Sequence, residues 1–237
     1  MQAKQKIYEV AKILYIREGY YKVSNKRLAE ESGVNQGLIT YYFKNKSNIA
    51  AIILREIYQI QISYLKNHVD VHKDPFLFNI SADNLMSRLI YCSKDMTRFI
   101  SEMIKERIIL DNVYEGGQKN DLMIMIKALV PDSKENLNKH FRKFVAMTFP
   151  VAMEFQLEIW NGLDMSYEEY FETMVGLFVY GLDLPLQRKE WKKTAERSNE
   201  IVLEIMETHP HLKDPETYLF NRDLFQPSLV EQLLDLT

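Results

Sequence analysis

Apolar side chains recur at helical spacing almost from one end of this 237-residue chain to the other, and no stretch alternates apolar and polar residues as a half-buried strand would. Only 8 Gly and 7 Pro are present to interrupt that pattern. A chain with so few turn formers is confined to long helices joined by few breaks. The expectation is an all-α protein. Hydrophobic residues make up 46% and charged residues 27%, the balance of a globular protein and not of a disordered one.

Residues 3–17 set Ile7, Val10, Ala11 and Leu14 on one face, and Gly19 ends the pattern. Ser24 is placed to cap a short helix through Ser32, and Gly33 suits the left-handed residue that ends one. Asn35 then caps a third helix to about Tyr42, and Asn45 caps a long fourth through Ile49, Ile53, Ile57, Ile60 and Leu65. After a break at His72 to Pro75, helices are expected at about 76–91, 94–110, 119–129, 134–162, 166–183 and 187–207. Pro150 should kink the helix at 134–162. The tail 209–237 reads as an extended arm with a last short helix at Ser228 to Leu236.

Charge is unevenly spread. Residues 1–66 carry 11 Lys and Arg against 5 Glu, a net +6, whereas the rest carries 19 basic against 28 acidic residues, a net −9. A basic head on an acidic body points to a polyanion partner for the head alone. The order short helix, Gly-containing turn, short helix from Ser24 to Tyr42 is the arrangement that projects a recognition helix into a DNA major groove. A helical hairpin with no DNA role would carry similar caps.

Residue identities decide between the two. Gly19-Tyr20, Val23-Ser24, Leu28-Ala29, Ser32-Gly33-Val34-Asn35-Gln36-Gly37, Ile39, Tyr42-Phe43 and Lys46 resemble the DNA-binding domain of the tetracycline repressor (TetR) family over about residues 3–60. Thr40 stands where that family usually has Tyr, Asn35 where it favours Ser, and Ser47 where it favours Glu. Within the third helix Gln36, Thr40 and Tyr41 have the reach for base edges, and Gly37 lets the backbone approach DNA closely. Ser24, Arg27, Tyr42 and Lys46 suit phosphate, with packing as the other reading of Tyr42. Asn35 and Lys26 complete the expected DNA-binding set, although for Lys26 and Lys44 a solvated face serves equally well.

The resemblance implies a C-terminal body that holds a ligand and a second subunit, and hence a repressor released from a palindromic operator by a small-molecule effector. The expected division is 1–48 for DNA, with helix 4 continuing to about 68, then 70–208 for ligand and dimer, and 209–237 as an arm. Phe144, Met147, Met153, Glu154 and Trp160 are the candidate ligand contacts, in a mainly apolar pocket beside the helices at 76–110, with helix core as the plainer reading of each. The run Met174 to Leu182 is apolar nearly all round and must be buried, which with the charged helix after it suggests a homodimer joined by 166–207. The other reading is a DNA-bound protein whose body recruits or inhibits another protein.

No enzyme signature, Gly-rich phosphate loop or paired metal-ligand spacing among His68, His72, His140, His209 and His211 emerges, so no catalysis, cofactor or metal is expected. The lone Cys92 is expected as a small buried hydrophobe. With no signal-peptide pattern or long apolar run, the expected location is the cytoplasm, away from membranes.

Overall fold

A computed structural model of the protein describes residues 3–116, 118–130, 134–220 and 234. Among them every regular element is helical: α1 (Ala3–Glu18), α2 (Asn25–Ser32), α3 (Gln36–Phe43), α4 (Lys46–Leu65), α5 (Pro75–Tyr91), α6 (Lys94–Lys105), α7 (Ile108–Glu115), α8 (Gln118–Leu129), α9 (Leu137–Trp160), α10 (Tyr167–Gly181), α11 (Arg188–Thr208) and, after a 3-10 turn at Pro210–Lys213, α12 (Pro215–Phe220). No helix among the described residues is long and apolar enough to cross a membrane.

Three features differ from the sequence expectation. The single helix expected at 94–110 is two, because Arg107 adopts a left-handed φ of 61° and turns the chain between α6 and α7. Residues 210–220, expected as extended arm, form the 3-10 turn and α12, while the helix expected at 228–236 lies outside the described residues except at Leu234. Cys92 is exposed, because α5 ends at Tyr91 and leaves it in the short link before α6, off the apolar face.

The helices gather into two compact units that interleave along the chain. One is built from described residues within Met1–Ile60, Arg88–Asn112 and Pro210–Thr237, the other from Gln61–Ser87 and Val113–His209. In the first, α1 packs against α2, α3 and α6 around Ile7, Tyr15, Leu28, Ile39, Phe43, Ile53 and Phe99. That core contains a charge. Glu56, only 3% exposed, accepts hydrogen bonds from the Tyr8 hydroxyl at 2.7 Å and from the ammonium of Lys12, 2% exposed, at 3.0 Å to each oxygen. Burial pushes the Glu56 carboxyl above its ordinary value, and the Lys12 charge and the two hydrogen bonds pull the other way.

In the second unit α9 packs on α8 and α10, and α10 on α11. At Gly181 the helices α9 and α10 approach so closely that a Cβ would overlap Thr148 Cγ2 and meet the Phe144 ring at 3.1 Å. Phe144, Phe149 and Phe178 close over this contact with centroids 5.1 to 6.2 Å apart. A polar knot ties α5 to α10 and α11. Asn84 donates to Ser198 Oγ at 3.0 Å and Asn199 Oδ1 at 2.8 Å, and its own Oδ1 accepts from the Tyr167 hydroxyl at 2.8 Å. One residue before it, the half-buried Asp83 has its carboxyl pushed up to about 6 by desolvation.

Two tests follow from these buried charges. Lys12→Met strands the Glu56 carboxylate and should lower stability to urea by about 3–5 kcal/mol, whereas Lys12→Met with Glu56→Leu should recover much of the loss. For Asp83, a folded pKa above the unfolded one means that the fold holds the proton more tightly than the open chain does. Its contribution to stability is therefore complete below the ordinary 3.8 and is lost as pH rises through about 6. The difference in thermal midpoint, Asp83→Asn minus wild type, should grow across that window and then level off.

Candidate nucleic-acid interface

Local chemistry sets the two short helices. The Ser24 hydroxyl accepts the Arg27 N–H at 3.2 Å to start α2, and α2 ends on Gly33 at φ 59°, ψ 40°, with the Val34 N–H returning to the Ala29 carbonyl at 3.0 Å. A glycine serves here because a side chain with that φ is strained. Asn35 Oδ1 accepts the Gly37 N–H at 2.8 Å to start α3, and Asn45 Oδ1 caps α4 through the Asn48 N–H at 2.9 Å.

The α3 helix buries Ile39 and Phe43 and turns the rest outward. Gln36, Gly37, Thr40 and Tyr41 are all exposed, Tyr41 at 78%, with its ring 5.0 Å from that of the half-buried Tyr42. Ser24, Lys26 and Asn35 are exposed on the same two-helix segment. All ten expected DNA residues therefore lie within the first unit, but the three cations among them all have partners, Lys26 being 4.0 Å from the Glu30 carboxylate. Arg27 grips Glu18 with both guanidinium nitrogens at 2.6 Å. Lys46 donates to the Tyr20 carbonyl at 3.1 Å with its ammonium 4.0 Å from the Tyr20 ring centre, and burial lowers its pKa.

The α1–α2 corner that carries this pair of helices is held by residues that no local sequence pattern marks. Glu102 of α6 accepts the Tyr20 N–H at 2.6 Å, and Arg98, one turn earlier and paired with Asp95 at 2.9 Å, donates to the Ile16 carbonyl at 2.6 Å. Both contacts join residues 82 apart in sequence, beyond the reach of any local pattern.

The expected ligand contacts differ in exposure. Phe144 is in the α9–α10 core, Met147, Met153 and Trp160 are half-buried, and Glu154 is exposed. The α9 helix runs on through Pro150, which offers no N–H to the carbonyl of Ala146. Among the described residues no three His, Cys, Asp or Glu side chains gather as they would around a metal ion.

A capped short helix, a left-handed glycine turn and a second capped helix with a polar outer face make a helix-turn-helix, the arrangement that projects a helix into a DNA major groove. Residues 7–51 match the model of the family described as "Bacterial regulatory proteins, tetR family". HTH-type transcriptional regulators of Staphylococcus aureus strains USA300, NCTC 8325 and COL are each 30% identical to the chain over 84 residues, 35% of this chain and 45% of theirs. The match thus spans less than half the length of these relatives. Over this N-terminal segment the chain is similar to the TetR family. A solved structure from Shewanella sp. PV-4, described as a tetR family transcription regulator, aligns with a TM-score of 0.45 and 14% identity, covering 75% of this chain and 96% of that one.

A strained residue lies between α3 and α4. Lys44 has φ 64° and ψ −52°, in a three-residue turn closed by the Asn45 N–H on the Phe43 carbonyl at 2.7 Å. Such a backbone costs a residue with a Cβ about 1–3 kcal/mol. Lys44→Gly should therefore raise the thermal midpoint, whereas Lys44→Ala, which loses the same charge but keeps the Cβ, should leave it unchanged.

Proposed function

We propose that the chain is a cytoplasmic, dimeric repressor that reads a palindromic operator through α3 and leaves it when a mainly apolar small molecule binds its C-terminal body. The observation that carries the DNA reading is the outer face of α3, where Gln36, Gly37, Thr40 and Tyr41 stand in water on a helix anchored by Ile39 and Phe43. Gln36 suits adenine, Thr40 a thymine methyl or polar edge, and Tyr41 brings a ring to the groove. Ser24, Lys26 and Lys44 are exposed beside them and position the helix on phosphate. Lys46 keeps N–H donors beyond the one given to Tyr20, so it serves the same backbone from the start of α4.

The functional division proposed is 1–48 for DNA, with α4 as connector to about 68, 70–208 for effector and partner subunit, and 209–237 as an arm. Support for a dimer through 166–207 comes from apolar side chains left in water on α10 and α11, namely Tyr180 at 71% exposed and Leu203 at 44%. A two-fold dimer presents two copies of α3 about 34–36 Å apart, one helical turn of DNA. Support for the effector is weaker and rests on the half-buried Met147, Met153 and Trp160 of α9, soft side chains that repack around a guest. Release requires that the guest bind the DNA-incompetent arrangement more tightly than the competent one.

Selection of duplexes from a randomised pool tests the reading. The wild type should enrich a palindrome, and Gln36→Ala should relax one base position in each half by about 1–3 kcal/mol. Lys26→Ala should weaken all sequences alike and flatten the salt dependence by about 0.9 of a counterion. Enriched duplexes without two-fold repetition would sink the dimeric reading. Apolar compounds that bind the body yet leave affinity for the enriched duplex unchanged would remove the effector.

A further inference from the structure

The described residues of the C-terminal arm from Pro210 onward belong to the same compact unit as the helix-turn-helix. After the turn at Pro210–Lys213, the six residues of α12 put Tyr218 wholly out of water, with Leu219 and Leu212 also buried. The Tyr218 hydroxyl is buried without a hydrogen-bond partner among the described residues, where packing of the ring holds it. Burial raises its pKa, and Cys92 and Asp214 add to the rise. From its outer side α12 reaches α1. Glu216 pairs with Arg17 at 2.8 Å, and the Arg17 guanidinium lies 5.5 Å from the centre of the Phe220 ring. At the other end of α1, Lys4 donates to the Leu234 carbonyl.

These contacts converge on three consecutive residues. The Ile16 carbonyl is held by Arg98 of α6, the Arg17 side chain by α12, and the Glu18 carboxylate by Arg27 of α2. We propose that α12 is a positioning element of the DNA-binding head, fixing through Tyr218 and the Arg17–Glu216 pair the end of α1 from which α2 and α3 project. The inference rests on the DNA-binding reading above. A shift of α12 displaces Arg17, and the neighbouring Glu18 carries that displacement through its two bonds to Arg27. The arm thereby adjusts DNA affinity without touching DNA.

The test uses the full chain and a duplex that the wild type enriches from a randomised pool. Glu216→Arg adds positive charge to a DNA-binding unit, so a purely electrostatic role predicts tighter binding. Positioning predicts the reverse: affinity about two- to fivefold weaker, as for loss of an exposed ion pair, with faster amide exchange in peptides covering 16–27. Exchanging the two residues, Arg17→Glu with Glu216→Arg, should restore both readings. A Glu216→Arg protein that binds as tightly as wild type or more so, with unaltered exchange over 16–27, overturns the proposal. If the wild type enriches no duplex, the DNA-binding reading falls, and the exchange data still decide whether α12 holds α1.

Discussion

The first unit is organised around one carboxylate that water does not reach. Glu56 lies on α4 and its partners Tyr8 and Lys12 lie on α1, so the two helices that bracket the helix-turn-helix in sequence are joined by a bond that tolerates no slippage. Apolar packing alone accepts small shifts of one helix on another at modest cost. A buried charge does not, because a displaced partner leaves it unpaired. Such a group contributes little net stability beside an apolar core of the same shape, and what it supplies is a single arrangement. For a protein that must present α2 and α3 at a fixed angle, that singleness is the useful property.

From this anchor outward the interactions become more exposed and individually weaker. The corner at Ile16–Tyr20 is held from α6 by backbone contacts, from α2 by a bidentate ion pair, and from α4 by an ammonium against an aromatic ring. This spends charge that composition alone assigns to DNA. Arg27 pairs with Glu18 and Lys46 is drawn toward Tyr20, leaving Lys22, Lys44 and, in a looser exposed pair with Glu30, Lys26 as the exposed cations around the two short helices. Fewer of the head's 11 Lys and Arg stand clear of a partner than their number implies, and discrimination leans on the uncharged face of α3.

What the sequence disclosed was what is decided locally. Ser24, Gly33, Asn35 and Asn45 occupy the cap positions that their side chains or backbone freedom suit, and the family resemblance was legible from the same short stretch. The break at Arg107 was not legible, since a left-handed arginine is held by surrounding structure and leaves no glycine to mark it. Nor was α12, whose six residues are too short for periodicity and owe their helix to burial of Tyr218 and Leu219. The apolar run in α10 was recognised as buried, yet Met174, Val175, Phe178 and Val179 find cover within their own chain, where α10 packs on α9 and α11. A pattern of apolar residues records that a face must be covered and is silent on what covers it.

The interleaving of the two units also bears on how the protein is made. Arg17 and Glu216 are 199 residues apart in sequence, and the head also draws on 88–112, so its packing is assembled across nearly the whole chain. At about 5–20 residues per second on the ribosome, the helix-turn-helix emerges some ten seconds or more before α12. Contacts of such high contact order close slowly and late. A nascent chain thus displays α3 well before the corner behind it is complete, and the order of synthesis delays a fully braced head until nearly all of the body has emerged.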